Sequence, residues 1–148
     1  MGAPRSFDPC KPLTGRFGLG ETADAVAAMF KVPLKGGTDL FCAVCAKGAD
    51  TLISDATVPN IAARLPAWYR KGIDAPAFLL LPLMLKGAPF ALIYADKAAP
   101  GSITLGEKEL SLLRTLRNQA VMAFRQAGGA APGRRKGDEP YPRHWSQR

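Results

Sequence analysis

From Phe78 to Asp96 the chain reads FLLLPLMLKGAPFALIYAD, two apolar runs joined by Lys86-Gly87-Ala88-Pro89. Leu79 to Leu85 is the first run. Phe90 to Ala95 is the second, rich in residues that suit a pleated, buried surface. A Lys-Gly pair between such runs predicts a β-hairpin. The stretch has about the length of a membrane span, but Pro82, Lys86, Gly87 and Pro89 in its middle argue against one. Because the hairpin is nearly all apolar, both faces of its sheet are expected to be covered, one of them by helices.

The other elements arrange themselves around this pair. Leu13 to Leu19 (LTGRFGL) predicts a short strand. Glu21 to Lys31 predicts a helix with Val26, Met29 and Phe30 on one face, capped by Thr22 or Asp24. Pro33 stops that helix, so Val32-Pro33-Leu34 is extended, and Lys35-Gly36-Gly37 turns. Leu40 to Ala46 (LFCAVCA) fits a strand by alternation or a short helix ending at Gly48. Thr51-Leu52-Ile53 predicts a strand ending at Ser54-Asp55. Pro59 to Lys71 predicts a helix interrupted by Pro66 and ended by Gly72. After a loop over Lys97 to Gly101, Thr104 and Glu107 have the T-x-x-E spacing of a capping box. The helix from Leu105 to about Gln126 should bury Leu110, Leu113, Leu116, Ala120 and Phe124, with Arg114, Arg117 and Arg125 on the other side. From Ala127 the composition turns to Gly, Pro and charge, and residues 127–148 are expected to form a disordered basic tail. The plan is α+β: helices covering an antiparallel sheet, closed by a long amphipathic helix.

Composition narrows the class. The chain has 148 residues, 47% of them hydrophobic, enough for one domain plus a tail. A net charge of +8 would suit nucleic acid or an acidic membrane. The basic residues are spread out, however, and nothing resembles a recognition helix or an RNA-binding signature. No nucleic-acid partner and no membrane span are expected. Three cysteines make no disulfide framework, which fits a reducing compartment. The start, MGAPRSFDPCKPLTG, lacks the apolar core of a secretory signal, so a cytoplasmic location is expected.

Four segments, in order, resemble a GAF domain, the small sensory module of many bacterial signalling proteins. They are GRFGLG (Gly15–Gly20), GGTDLFCAVCAKGADTLISDA (Gly36–Ala56), WYRKGIDAPAFLLLPLMLKGAPFALIYAD (Trp68–Asp96) and ITLGEKELSLLRTLRNQAVMAF (Ile103–Phe124). The resemblance spans residues 15–126, leaving 1–14 as an irregular lead-in with three prolines before Leu13. It implies a helix for Leu40–Ala46. It also implies a helix and a strand before GRFGLG, which the upstream residues do not supply. Three explanations stand: the chain is cut from a longer protein, residues 1–13 pair poorly, or another chain fills the place. The resemblance further implies a non-enzymatic regulatory role in signal transduction, a small-molecule ligand or a homodimer, and an upstream or output signalling domain. Multidomain bacterial signalling proteins that end in a GAF module, with HDOD or kinase domains upstream, are the nearest likeness.

Each candidate site residue has a structural alternative. Cys42 and Cys45 form C-x-x-C and would share a helix face as a redox pair; as free thiols they more often pack as small core residues. No His or second Cys pair lies nearby to complete a zinc site. A methionine-sulfoxide reductase shares the GAF fold, but Phe41 stands where that family's first cysteine falls, and SDATVPNIAARLP after Ile53 has none. The Cys and His that hold a bilin are missing, since the only His is His144, and the cyclic-nucleotide signature is absent. No cofactor is indicated. Asp55 could sit at a pocket mouth or, the favoured reading, cap a turn. Phe41, Trp68, Tyr69 and Leu80 could line a small-molecule pocket or simply fill the core. Arg64, Arg70 and Lys71 read as a solvated face. Arg134-Arg135-Lys136 with Tyr141, Arg143 and Trp145 reads as part of a solubilising tail.

Overall fold

In the computed structural model, which describes residues 11–128, the first elements form a small ribbon. Strand β1 (Leu13–Thr14) pairs antiparallel with β2 (Lys31–Val32), and helix α1 (Ala23–Met29) lies between them in sequence. The predicted strand Leu13–Leu19 is thus cut short. Beyond Gly15, whose N–H reaches Phe30 O, its would-be partner is already helical. Any side chain at Gly15 would collide with the Ala27 carbonyl. Phe17 and Leu19 consequently stand almost fully exposed in the following loop. Neither expected cap of α1 forms: the Thr22 side chain makes no capping bond, and Asp24 lies inside the first turn.

Helix α2 (Leu40–Lys47) resolves the ambiguity of LFCAVCA in favour of helix. Asp39 caps it by accepting from Cys42 N at 3.0 Å. Gly48 ends it in the left-handed conformation, φ 64°, which a glycine adopts without a Cβ penalty. Strand β3 (Thr51–Ile53) follows as predicted. The single helix predicted for Pro59–Lys71 is instead two pieces: α3 (Pro59–Ala62), with Pro59 in its first turn, and a π-turn over Tyr69–Ile73. Pro66 lacks the N–H a continuous helix needs. The π-turn closes through an Asp74 N–H to Tyr69 O bond of 2.8 Å.

Strands β4 (Ala77–Leu85) and β5 (Ala88–Lys97) are the predicted hairpin. Its turn is Lys86-Gly87 alone, with φ of 51° and 77°, the signature of a tight turn matched to strand twist. Ala88 and Pro89 already belong to β5, pairing with Leu85 and Met84. The sheet order is β3-β4-β5, all antiparallel. Pro82 is tolerated in the central strand because β3 pairs only with Phe78–Leu80, so Pro82 has one neighbour, Leu92. The expectation that both faces of the whole hairpin are covered holds for β4, buried from Ala77 to Leu83, but not for β5. Among the described residues β5 is the last strand of this three-stranded sheet, with β1 lying against it, and Ile93 and Ala95 reach solvent.

Helix α4 (Glu107–Gly128) packs on the β4 side of the sheet. It starts later than predicted. Gly106 O accepts the Leu110 N–H, Glu107 is the first helical residue, and the Thr104 capping box does not form. Ile103 and Leu105 turn partly inward instead. The buried stripe is also rotated: Leu110, Leu113, Arg117 and Val121 face the domain, whereas Leu116 and Ala120 face out. Arg117, expected on the solvent side, points inward because Asp50, between α2 and β3, accepts from it and from Arg114 Nε at 3.0 Å. Phe124 stacks on Phe90 at 4.2 Å between ring centres. No helix among the described residues is long and apolar enough to cross a membrane. The lead-in before Lys11, with Cys10, and the predicted tail beyond Gly128 lie outside the described residues; within it, Ala127 and Gly128 still belong to α4.

Candidate functional site

Four of the five residues that the sequence offers as pocket candidates meet on the sheet face opposite α4. Alternation along β4 and β5 turns Phe78, Leu80, Leu92 and Tyr94 to this face. Helix α2 supplies Phe41, the segment before the π-turn supplies Trp68, and the π-turn supplies Tyr69. Phe30 closes the group from the end of α1. Ring centres lie 5.3 Å apart for Phe41–Trp68, Phe41–Tyr69 and Tyr69–Phe78, 5.0 Å for Phe30–Trp68 and 4.8 Å for Phe30–Tyr94. Phe41 and Phe78 stack with planes 10° apart. Phe41, Tyr69, Phe78 and Leu80 are each 0% exposed. The space between sheet and covering helices is therefore packed with rings at the offset and edge-to-face separations aromatic pairs favour.

One polar thread runs through this cluster. Tyr69 OH donates to Ala75 O at 2.8 Å and lies 3.2 Å from Tyr94 OH, which donates to Asp96 Oδ2 at 2.6 Å. Two hydroxyl protons serve three contacts, so one contact is always without its own proton. Burial pushes the Tyr69 phenol up to about 12 and also raises Tyr94, where the hydrogen bond to Asp96 adds to it. Both are neutral near pH 7.

Asp55 does not join the cluster. Its carboxylate accepts from Thr57 N at 2.9 Å and from Thr57 Oγ1 at 2.5 Å, a turn that folds back on itself. The Thr57 hydroxyl, then the Thr57 amide, lower its pKa. Cys42 and Cys45 are both buried on α2. Burial, first, and Asp39 push the Cys42 thiol up to about 11, and burial pushes Cys45 up to about 12. Cys42 Sγ donates to Pro33 O at 3.2 Å and lies 3.4 Å from Asp39 Oδ2. A thiol beside a carboxylate is held protonated, the opposite of what nucleophilic or redox cysteines need. Among the described residues no group of three or more His, Cys, Asp or Glu could hold a metal ion.

A cleft of about 410 Å³, open to solvent, lies between α1 and the π-turn. Val26, Met29, Ile73, Ala75 and Pro76 line its apolar part, and Asp74 and Asp96 are its charged residues. Sequence reasoning missed this cleft, and it missed Phe30, Phe78 and Tyr94 as members of the aromatic cluster. Period-two alternation in FLL and LIYAD could have placed Phe78, Tyr94 and Asp96 on one face. Nothing local to the sequence marks Phe30, which arrives through the tertiary packing of α1.

No family model matches the chain, and no curated protein matches it significantly. Solved structures do. A methyl-accepting chemotaxis protein is similar at a TM-score of 0.55 and 15% identity, over 70% of this chain and 64% of that one. The GAF domain of an Acinetobacter phosphoenolpyruvate-protein phosphotransferase is similar at 0.50 and 20% identity, over 74% and 60%. A type II free methionine-R-sulfoxide reductase from Thermoplasma acidophilum is similar at 0.47 and 16% identity, over 73% and 67%. The chain thus spans somewhat less than two thirds of the first two structures. At these identities the likeness is one of fold, and the fold of this chain is a GAF-like α+β domain.

Proposed function

We propose that this domain is a non-enzymatic regulatory module of signal transduction that works through protein contacts rather than through a ligand held in its interior. The observation that carries this is the filled interior: Phe41, Tyr69, Phe78 and Leu80 occupy the space between sheet and helices where a ligand would lie. The protonated, buried thiols of Cys42 and Cys45 favour a structural role over a redox one. The signal would pass along α4, whose seating on the sheet is tied to the α2–β3 junction by Asp50. A partner that favours one seating of α4 over another shifts the population between them, by no more than its difference in affinity for the two. Upstream or output signalling domains and a cytoplasmic setting belong to the same proposal.

A second reading rests on the open cleft. Its apolar wall and two carboxylates, Asp96 held in place by Tyr94, would suit a small organic cation. Native mass spectrometry of the purified chain decides between the two. The expected spectrum carries no mass beyond that of the polypeptide. A discrete, stoichiometric extra mass would overturn the interior argument, and its loss in an Asp96→Ala variant would assign it to the cleft.

A further inference from the structure

Two carboxylates reach the open cleft from different elements. Asp74 follows the π-turn and is fixed by its own N–H to Tyr69 O at 2.8 Å. Asp96 lies near the end of β5, its Oδ2 held by Tyr94 OH at 2.6 Å. Among the described residues every ion pair goes to Asp50, so neither carboxylate has a cation. Lys97, beside Asp96 in the chain, donates to Ser102 O instead. Arg70 and Lys71 line a neighbouring hollow that shares Asp74. After burial, the charges of Asp96 and then Asp74 help to hold the Tyr69 phenol up, so both carboxylates act on one hydroxyl.

The hydrogen bonds behind the cleft are one donor short. When Tyr69 donates to Ala75 O and Tyr94 donates to Asp96, the two tyrosine oxygens meet at 3.2 Å with no proton between them. When Tyr69 turns its proton to Tyr94, Ala75 O loses its donor. Tyr69 is fully buried, so no solvent reaches it to settle the choice. The two ends of this thread, Ala75 and Asp96, both line the cleft. A donor arriving there would complete it. The rest of the wall is apolar and already formed. Val26 and Met29 of α1 line it with Ile73, and Met29 sits so close to Gly72 that a side chain at that position would collide with its Sδ.

We propose that the cleft binds a primary ammonium carried on a small apolar group, an alkyl or arylalkyl amine, with Asp74 and Asp96 as its acceptors and Val26, Met29 and Ile73 against its body. The proposal deepens the reading of the cleft as a cation site and rests on it; the filled interior is untouched. Donor count selects the class. A primary ammonium has three N–H donors, enough for both carboxylates and for Ala75 O, whereas a quaternary ammonium has none. The volume of about 410 Å³ is at the low end of the roughly 300–1,000 Å³ of small-molecule sites, so the apolar group is small. A donor to Ala75 O frees the Tyr69 proton for Tyr94, and the thread carries the event from the cleft into the aromatic cluster. Because the cleft is open, its occupant exchanges with solvent, and a chain purified away from such amines is free of them.

The test is a titration of the isotope-labelled full chain with phenethylammonium, followed by two-dimensional amide NMR. The neutral 2-phenylethanol and the N-trimethyl derivative, which lacks N–H donors, are the controls. Saturable shifts centred on Val26, Ile73, Asp74, Ala75 and Asp96 are expected. Both controls should bind at least about 10-fold more weakly, the scale of a charge-assisted hydrogen bond. Asp74→Asn and Asp96→Asn should each cost about 10-fold or more in affinity. Ala25→Phe, which fills the cleft from an exposed position on α1, should abolish binding. Tyr94 is a positioning residue that acts through Asp96, so Tyr94→Phe should weaken binding and remove the tyrosine ultraviolet difference signal that binding gives in the wild type. Binding of 2-phenylethanol as tight as that of the amine would overturn the ammonium and leave the cleft a binding site. No saturable shift with any of the three probes would overturn the cleft reading as well. Unchanged affinity in both asparagine variants, or shifts centred on Phe41 and Phe78 that spare the cleft, would also overturn the proposal. All three cleft substitutions fall on exposed residues; should one nonetheless fail to fold, the other two and the control probes decide.

Discussion

Removing Asp50 should loosen α4 more than any other single change on that helix or its seat. Asp50 and Arg117 are 13% and 15% exposed in their side chains, whereas Arg114 is 50% exposed. Asp50→Ala leaves the Arg117 guanidinium part-buried without its counter-charge. Breaking a fully buried pair costs about 3–5 kcal/mol. Arg117 can shift its head toward water along its aliphatic stem, so about 2–3 kcal/mol is expected here. At roughly 4 °C per kcal/mol for a domain of this size, the melting temperature should fall by about 8–12 °C. Arg114→Ala should cost under about 1 kcal/mol, as exposed ion pairs do. The assay is urea denaturation of the wild type, the three single alanine variants and the two double variants with Asp50→Ala. A coupling above about 1 kcal/mol is expected for Asp50–Arg117 and below about 0.5 kcal/mol for Asp50–Arg114. Equal couplings, or an Asp50→Ala cost within about 0.5 kcal/mol of zero, the range of an ordinary surface change, would refute the claim that Asp50 seats the helix.

Three further outcomes test the interior. In a Cys10→Ser background, Ellman's reagent at pH 7 should label neither Cys42 nor Cys45 faster than the domain unfolds; a fast, stoichiometric thiol would reopen redox chemistry. The raised phenols of Tyr69 and Tyr94 mean that the folded state keeps protons the unfolded state releases above about pH 10. Stability is therefore fully present below about pH 10 and is lost as pH rises toward the folded-state value of about 12 for Tyr69. A double Tyr69→Phe, Tyr94→Phe variant should flatten that decline in urea midpoints measured between pH 9 and 11, and an unchanged slope would count against the cause given for it. Phe41→Ala should cost about 3–5 kcal/mol and open a dry cavity. The variant, if stable enough to purify, should gain thermal stability from a small aromatic solute that does nothing for the wild type.

The sequence made the regular elements legible where a local rule had no competitor. Gly48 ends α2, Lys86-Gly87 turns the hairpin, and Pro66 breaks the segment before the π-turn; each constraint is carried by the residue itself. Reading failed where tertiary contacts chose between locally equal options. On α4, Leu116 and Arg117 are neighbours, and periodicity alone favours the leucine as the inward residue. Asp50, 67 positions away from Arg117, reverses that choice, and no window along the helix contains it. GRFGLG likewise alternates as a strand should, yet its partner past Phe30 is the end of α1, so pairing stops. Of the candidate site, Phe41, Trp68, Tyr69 and Leu80 meet in the structure, because aromatic and apolar residues on converging elements have few places to go. Whether they line a space or fill it depends on Phe78, two residues before Leu80 on β4, and on Phe30 and Tyr94 arriving from two other segments.

That distinction between lining and filling decides how a signal could cross this domain. In a hollow domain, a ligand adds contacts that exist in one state only, and the covering helices respond. Here the rings of Phe41, Tyr69 and Phe78 already supply those contacts, at close-packed separations that resist continuous deformation. Opening the interior would forfeit them before any ligand contact repaid the loss, so the interior behaves as a rigid body. Outside it lies the seat of α4 on Asp50, where an ion pair rather than close-packed rings sets the position of the helix. A partner that grips α4 in one seating should therefore bind Asp50→Ala, in which the helix is freed, with a changed affinity, although Asp50 lies on another segment of the chain.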